Sequence, residues 1–366
     1  MKTSKPNILI VTSEFPPQPG GIGNHAYNLA LHFSYNGYKV RVIADQRSKS
    51  GVEENDFDSS LPFSVNRISL CKLRFIMYVK RILFTLKYSR RATHCIATGK
   101  FSLWNVAFSN FFFKSKTLAI VHGTEVNFKS LIIRNAIDFS LKRFETIVAV
   151  SNYTKGLISH LNREVIVIPN GISTSKWINS TEKLKLKGDP VLTTVGRVSS
   201  RKGQLNVIKH LPELKKQFPE LHYHCVGIPT EADGFISVAK NLNVDAYITF
   251  HGSVDAAKLK QILAATDIFV MLSSESRTGD VEGFGIAILE ANAMGIPAIG
   301  AKSCGIEDAI NSGHSGQLID LNDTNAFRLA ILQILQHTSE YKIEAKKWAE
   351  QHDWSHIIKH YIALLQ

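Results

Sequence analysis

Apolar residues in this chain fall into short runs, separated by longer stretches whose apolar positions recur at helical spacing. Residues 7–13 form the first run, 24–36 have helical periodicity that stops at Gly37, and 38–45 are apolar again. Strand, loop, helix and strand in that order indicate a parallel α/β sheet. Further strand-like runs lie at 94–98, 117–121, 146–150 and 165–168. The polar, Lys-rich stretch 171–190 carries turn residues and reads as a linker. A second series follows, with strands expected at 191–195, 221–227, 246–254, 268–272 and 296–300, and a terminal helical stretch at 343–366 broken around 352–355.

A chain of 366 residues accommodates two such domains. The four cysteines, Cys71, Cys95, Cys225 and Cys304, form no close pair. They read as reduced thiols of a cytosolic protein with no metal site. The first apolar run is too short for a signal peptide and leads straight into a glycine loop. No run approaches the ~20 apolar residues of a membrane helix.

Ligands of parallel sheets bind at the carboxyl ends of the strands, so the residues there carry the functional reading. After the first strand, Gly20, Gly21 and Gly23 follow three prolines, Pro16, Pro17 and Pro19. Gly21-x-Gly23-x-x-Ala26 with Asp45 downstream spells a dinucleotide fingerprint. The prolines, however, widen a loop that this fingerprint needs tight. His122 ends another strand, ahead of Gly123. In the second half, Gly196-Arg197 and Lys202-Gly203 flank a strand-to-helix junction, where cations beside free helix N–H groups can hold a diphosphate without a metal. Arg201 reads as an extra surface charge.

The most distinctive stretch is 273–295. Glu282 stands before Gly283-Phe284-Gly285-Ile286, a turn that opens a small-residue helix, and Glu290 follows inside that helix. Each acid alone fits a cap or a solvated helix position. Backbone N–H groups at such a helix start attract anions. Together with Arg197 and Lys202, the string resembles the Glu-x7-Glu signature of the retaining, family-4-type glycosyltransferases (glycosyl transferases group 1).

That resemblance implies a GT-B fold: two Rossmann-like domains with parallel sheets facing across a deep cleft. Residues 1–172 would bind the acceptor, 173–345 the nucleotide-sugar, and 346–366 would cross back to the first domain. It implies that Arg197, Lys202 and the amides of Gly283, Phe284, Gly285 and Ile286 meet the donor diphosphate. Glu282 would meet the sugar and Glu290 the ribose. Val254 would lie near the base, Gly20 and Gly21 would close over the donor, and His122 would hold the hexose. The leaving phosphate would take the acceptor proton, with a nucleotide-diphosphate sugar as co-substrate and no metal or other cofactor. Asp56-Phe57-Asp58 spells a metal-binding Asp-x-Asp, but in a polar acidic loop rather than at a nucleotide-binding strand end. The alternatives are a sugar-nucleotide epimerase of similar build, an NAD-dependent oxidoreductase using Asp45, or a protein that only binds sugar nucleotides.

Charge alters the picture in one place. The chain carries a net charge of +12, and residues 61–116 hold eleven Lys or Arg and no Asp or Glu. Within the helix expected at 73–91, Phe75, Ile76, Val79, Ile82, Leu83 and Leu86 form one stripe, expected to pack on the sheet. Arg74, Lys80, Arg81, Lys87 and Arg91 lie opposite, with Met77, Phe84 and Tyr88 among them. A solvated face is the plainer reading. Cations mixed with apolar wedges also suit an anionic membrane surface, and so a cytoplasmic enzyme held peripherally at the inner face of the membrane, working on a lipid-linked or glycan acceptor. No nucleic-acid-binding pattern is present.

Overall fold

The computed structural model describes residues 6–177, 184–276 and 279–366. Residues 178–183 of the expected linker and 277–278 of the loop before Glu282 lie outside the described residues. The chain divides into two compact units, the first comprising the residues up to 171 together with 354–366, the second 172–353.

The first unit alternates strand and helix: β1 Asn7–Thr12, α1 Gly21–Tyr35, β2 Lys39–Asp45, α2 Val52–Ser59, β3 Ser64–Ile68, α3 Arg74–Ser89, β4 His94–Thr98, α4 Lys100–Ser109, β5 Lys116–Val121, α5 Leu131–Leu141, β6 Thr146–Ala149, α6 Asn152–Leu157 and β7 Ile166–Val167. The strands form one parallel sheet in the order β3-β2-β1-β4-β5-β6-β7. β1, β5 and β6 are mostly Ile, Leu, Val and Ala because helices cover both faces of the sheet. The connection from β3 returns past β2 and β1 to β4, so right-handed crossovers place α3, α4 and α5 on the face opposite α1 and α2.

The second unit repeats the scheme: β8 Val191–Val195, α7 Gln204–Gln217, β9 His222–Val226, α8 Ala232–Asn241, β10 Ile248–Gly252, α9 Ala256–Ala264, β11 Ile268–Met271, α10 Ile286–Ala293, β12 Ala298–Ala301, β13 Gly316–Ile319, α11 Thr324–Gln336 and α12 Thr338–Gln351. Its parallel sheet runs β10-β9-β8-β11-β12-β13. The last helix, α13 Trp354–Ala363, belongs to the first unit and packs on α1. There His25 Nε2 lies 3.2 Å from the Tyr361 hydroxyl, and the Trp354 ring stacks on His32.

Several sequence expectations differ from this structure. The return to the first unit starts at Trp354 rather than at 346, because α12 runs through to Gln351 and buries Tyr341, Ala345 and Ala349 in the second unit. The described part of 172–190 is packed against the second unit rather than free, with Asp189 N–H donating to Glu220 O and His224 Nε2 3.0 Å from Lys187 O. β3 and β13 escaped the sequence reading. β3 is a half-buried edge strand and β13 is four residues long.

The largest difference is the rotation of α3. The middle of the stripe expected to pack on the sheet instead faces water, with Phe75 72% exposed and Leu83 57%, and Ile76, Ile82 and Leu86 at its edges half-buried. Of the expected outer face, Met77, Phe84 and Tyr88 pack against the core and Arg81 is only 3% exposed, while Arg74, Lys80, Lys87 and Arg91 stay exposed. The physical reason is Asp45 at the end of β2. It accepts from Arg81 Nη2 at 2.5 Å and Nε at 3.2 Å, and a buried cation without this partner would be costly. Small residues complete the inner face, with Ser89 Oγ 3.2 Å from Ser109 Oγ on α4.

Candidate functional site

In the second unit the carboxyl end of β8 leads into a short turn, Ser200–Lys202, before α7. Gly203 caps that helix with φ +82°, and a Cβ there would overlap the carbonyl of Leu272 at the end of β11. Only glycine lets the two strand ends approach so closely. Gln204 fixes the preceding loop: its side chain accepts from Ser199 N–H at 3.2 Å and donates to Arg197 O at 3.1 Å. Asn206 donates to Leu272 O at 2.8 Å, tying α7 to the other loop.

This approach carries Lys202 to Glu282. Lys202 Nζ lies 2.9 Å from Glu282 Oε2, and Arg201 Nη1 pairs with the same oxygen. Burial pushes the Glu282 carboxyl up, but Lys202, then Arg201, and the Gly285 N–H more than offset it. The acid is held below the usual carboxylate range. Behind it, Phe284 is buried, and Gly285 caps α10 with φ +84°. Gly305 N–H donates to Glu282 O at 3.1 Å, and a Cβ on Gly305 would overlap the carbonyls of Glu282 and Gly283. The turn that presents the N–H groups of α10 is therefore braced from below. Glu290, within α10, is pushed up to about 7 by burial, against the opposing charges of Lys202 and Lys176.

Of the residues singled out in this half, Lys202, Glu282 and Glu290 share one electrostatic environment. Arg197 is exposed, and its guanidinium makes no ion pair among the described residues. Val254 is half-buried between β10 and α9, beside Asp255, whose side chain caps α9 by accepting from Lys258 N–H at 2.8 Å. Arg201 is the residue the sequence reading set aside. Its position, adjacent to Lys202 in a tight turn, was the available signal.

In the first unit, Gly20 and Gly21 open α1. A side chain at Gly20 would strike the Glu14 carboxylate, whereas Gly21 is exposed with open space beside it. His122 follows β5 and is buried, its Nε2 2.8 Å from Thr98 Oγ1 at the end of β4. Glu125 accepts the His122 backbone N–H at 2.6 Å. Burial lowers His122 to about 3, and burial raises Glu125 to about 7, so the imidazole is neutral across the neutral range. Asp45 is committed to Arg81, which removes the ribose-binding acid from the dinucleotide reading. Asp58 lies on a helix rather than a loop and accepts from Arg67 Nη2 at 2.7 Å and Nε at 2.9 Å, so half of the Asp-x-Asp pattern is structural.

The second unit matches the family model of the glycosyl transferases group 1 over residues 175–352, and the first matches that of Glycosyltransferase Family 4 over 19–176. Among curated proteins, the chain is similar to the GDP-mannose-dependent alpha-(1-6)-phosphatidylinositol monomannoside mannosyltransferase of Mycobacterium tuberculosis, 25% identical over 90% of this chain and 89% of that one. The protein of the same description from Mycolicibacterium smegmatis is 26% identical over 64% of this chain and 65% of its own length. Among solved structures, Anabaena Alr3699/HepE in complex with UDP and glucose superimposes with a TM-score of 0.78, at 18% identity, over 98% of this chain and 99% of that one.

Proposed function

The chain belongs to the glycosyl transferases group 1 and has the GT-B fold, and from that premise we propose that it moves a sugar from a nucleotide-diphosphate donor to an acceptor hydroxyl with retention at the anomeric carbon. The observation that carries this reading is the meeting of Arg201, Lys202 and Glu282 beside the start of α10, with Glu290 in the same helix. A cationic corner next to the start of a helix suits a diphosphate, and the adjoining carboxylates suit hydroxyl groups at its two ends.

In this reading the bond between the anomeric carbon and the diphosphate oxygen breaks while a bond to the acceptor oxygen forms on the same face. The acceptor proton passes to the departing phosphate. Lys202, Arg197, Arg201 and the Gly283–Ile286 amides stabilise the charge that develops on the leaving group, each preorganised donor contributing about 3 kcal/mol. Glu282 holds sugar hydroxyls, Glu290 the ribose and His122 the hexose. The protein's own cations serve where other transferases use a metal, so turnover is expected to survive EDTA.

The acceptor we propose is a lipid-linked or glycan hydroxyl, as in cell-surface polysaccharide or glycolipid synthesis. The relatives' names support it: they include mannosyltransferases acting on phosphatidylinositol monomannoside and a lipopolysaccharide core glycosyltransferase of Rhizobium meliloti. A thermal-shift panel of UDP-, GDP- and ADP-sugars tests the donor. One base should stabilise the protein clearly, and Glu282→Ala should abolish release of the nucleoside diphosphate from that donor while the fold survives. Stabilisation by none of them, or an isomerised sugar accumulating from donor alone, would contradict the assignment.

A further inference from the structure

The sheet face that carries α3, α4 and α5 is where the first unit leaves large apolar side chains in water. Phe75, Val79 and Leu83 recur every four residues along α3 and are 72%, 37% and 57% exposed, with Leu73 at 64% just before the helix. At the end of α4, Phe111 and Phe112 are 57% and 61% exposed, and their rings lie 6.4 and 5.4 Å from that of Phe108. On α5, Ile132 and Phe139 are 83% and 59% exposed and, seven residues apart, share one helix face. Arg143 joins the two last groups, its guanidinium 3.7 Å from the Phe111 ring and 4.7 Å from that of Phe139. A single exposed apolar side chain is ordinary; a field across three neighbouring helices is not.

Charge narrows the choice of partner. Of the eleven cations in 61–116, Arg67 and Arg81 are committed to Asp58 and Asp45. Lys72, Arg74, Lys80 and Lys87 remain exposed on or beside α3, and Arg90 and Arg91 follow it. That stretch contains no acid to answer them. A protein partner of mixed charge has little reason to select such a surface. An anionic lipid bilayer does, since its headgroups take the cations while the rings reach the acyl boundary.

We propose that the α3–α4–α5 face is a docking surface for anionic lipid bilayers. The proposal extends beyond sugar transfer and does not rest on it, because binding is measured without a donor. No helix among the described residues is long and apolar enough to cross a membrane, so attachment through this face is interfacial.

Co-sedimentation with phosphatidylcholine vesicles, with and without about one-third phosphatidylglycerol, tests it. The protein should sediment with the anionic vesicles, weakly with the neutral ones, and be released by high salt. Lys80→Gln and Lys87→Gln should each weaken binding about five-fold. Phe75→Ser with Leu83→Ser, and separately Phe111→Ser with Phe112→Ser, should each weaken it more than about ten-fold. All six substitutions are at exposed positions, and unchanged thermal unfolding would show that the fold is retained. Wild-type protein left in the supernatant with anionic vesicles would overturn the proposal, as would unaltered binding by the variants. Concentration-dependent self-association abolished by the Phe75 and Leu83 changes, without vesicle binding, would make the face a subunit interface instead.

Discussion

In the second unit, Glu282 pairs with cations that a diphosphate would need, and this gives Glu282→Gln an unusual expected signature. The Glu282 side chain is 11% exposed, Lys202 is 14% exposed at 2.9 Å, and Arg201 is 30% exposed. With an effective dielectric near 20, the gross attraction to Lys202 alone is about 6 kcal/mol. Desolvation of both partners and the partial exposure of Arg201 reduce the net to about 1 kcal/mol. An incoming nucleoside diphosphate must displace the carboxylate from these cations, so it loses that amount on binding. Removing the charge should therefore leave diphosphate affinity unchanged or tighten it by up to about ten-fold. Turnover should nevertheless fall by about a hundred-fold or more, because the amide no longer offers a charged acceptor to the sugar. Isothermal titration with UDP, GDP and ADP gives the first quantity, and nucleoside diphosphate release from the matching donor gives the second. Affinity and turnover falling together would refute the reasoning, since it would mean that Glu282 supports the diphosphate site instead of competing for it.

Three further outcomes follow from the same geometry. Asp45→Asn leaves Arg81 buried without a counter-charge and should cost about 3 kcal/mol of stability, measured by urea unfolding; a change below about 0.5 kcal/mol would show that the pair is not structural. Glu290 is raised from 4.5 to about 7, so its contribution to stability is complete below pH 4.5 and lost as the pH rises through 7. Glu290→Gln should flatten that part of the stability profile, and if Glu290 binds the ribose as a carboxylate, titrations near pH 7 in buffers of different ionisation enthalpy should show proton release. His122 is lowered from 6.5 to about 3, so its contribution is complete above pH 6.5 and lost as the pH falls toward 3. His122→Asn should lessen that acid loss and reduce turnover, while the activity profile of the wild type should show no His122 step near neutrality.

The parallel sheets were legible because their strands are buried on both faces and read as short, nearly unbroken apolar runs. β1 and β5 are clear examples, whereas β3, half-buried at an edge, lacks that signal. The junctions at Lys202 and Glu282 were legible as well, because glycines at positive φ and charges at strand ends occupy fixed places in the chain. What the sequence concealed depended on pairing across distance. Arg81 looked like a solvated cation until Asp45, 36 residues away, turned α3 over and exposed its apolar stripe. Arg201 looked like surplus charge until the Ser200–Lys202 turn brought it onto Glu282. Helical periodicity identifies a stripe, but it cannot say which of two stripes faces inward when a buried ion pair competes with apolar burial.

The central claim is that the second unit grips an activated sugar by its diphosphate, and the most direct measurement is the titration of nucleoside mono- and diphosphates into wild-type protein and Lys202→Gln. The account expects one diphosphate to bind about ten-fold or more tightly than its monophosphate, with Lys202→Gln erasing most of that difference. Equal affinity for mono- and diphosphate, or a preference that Lys202→Gln leaves intact, would contradict it.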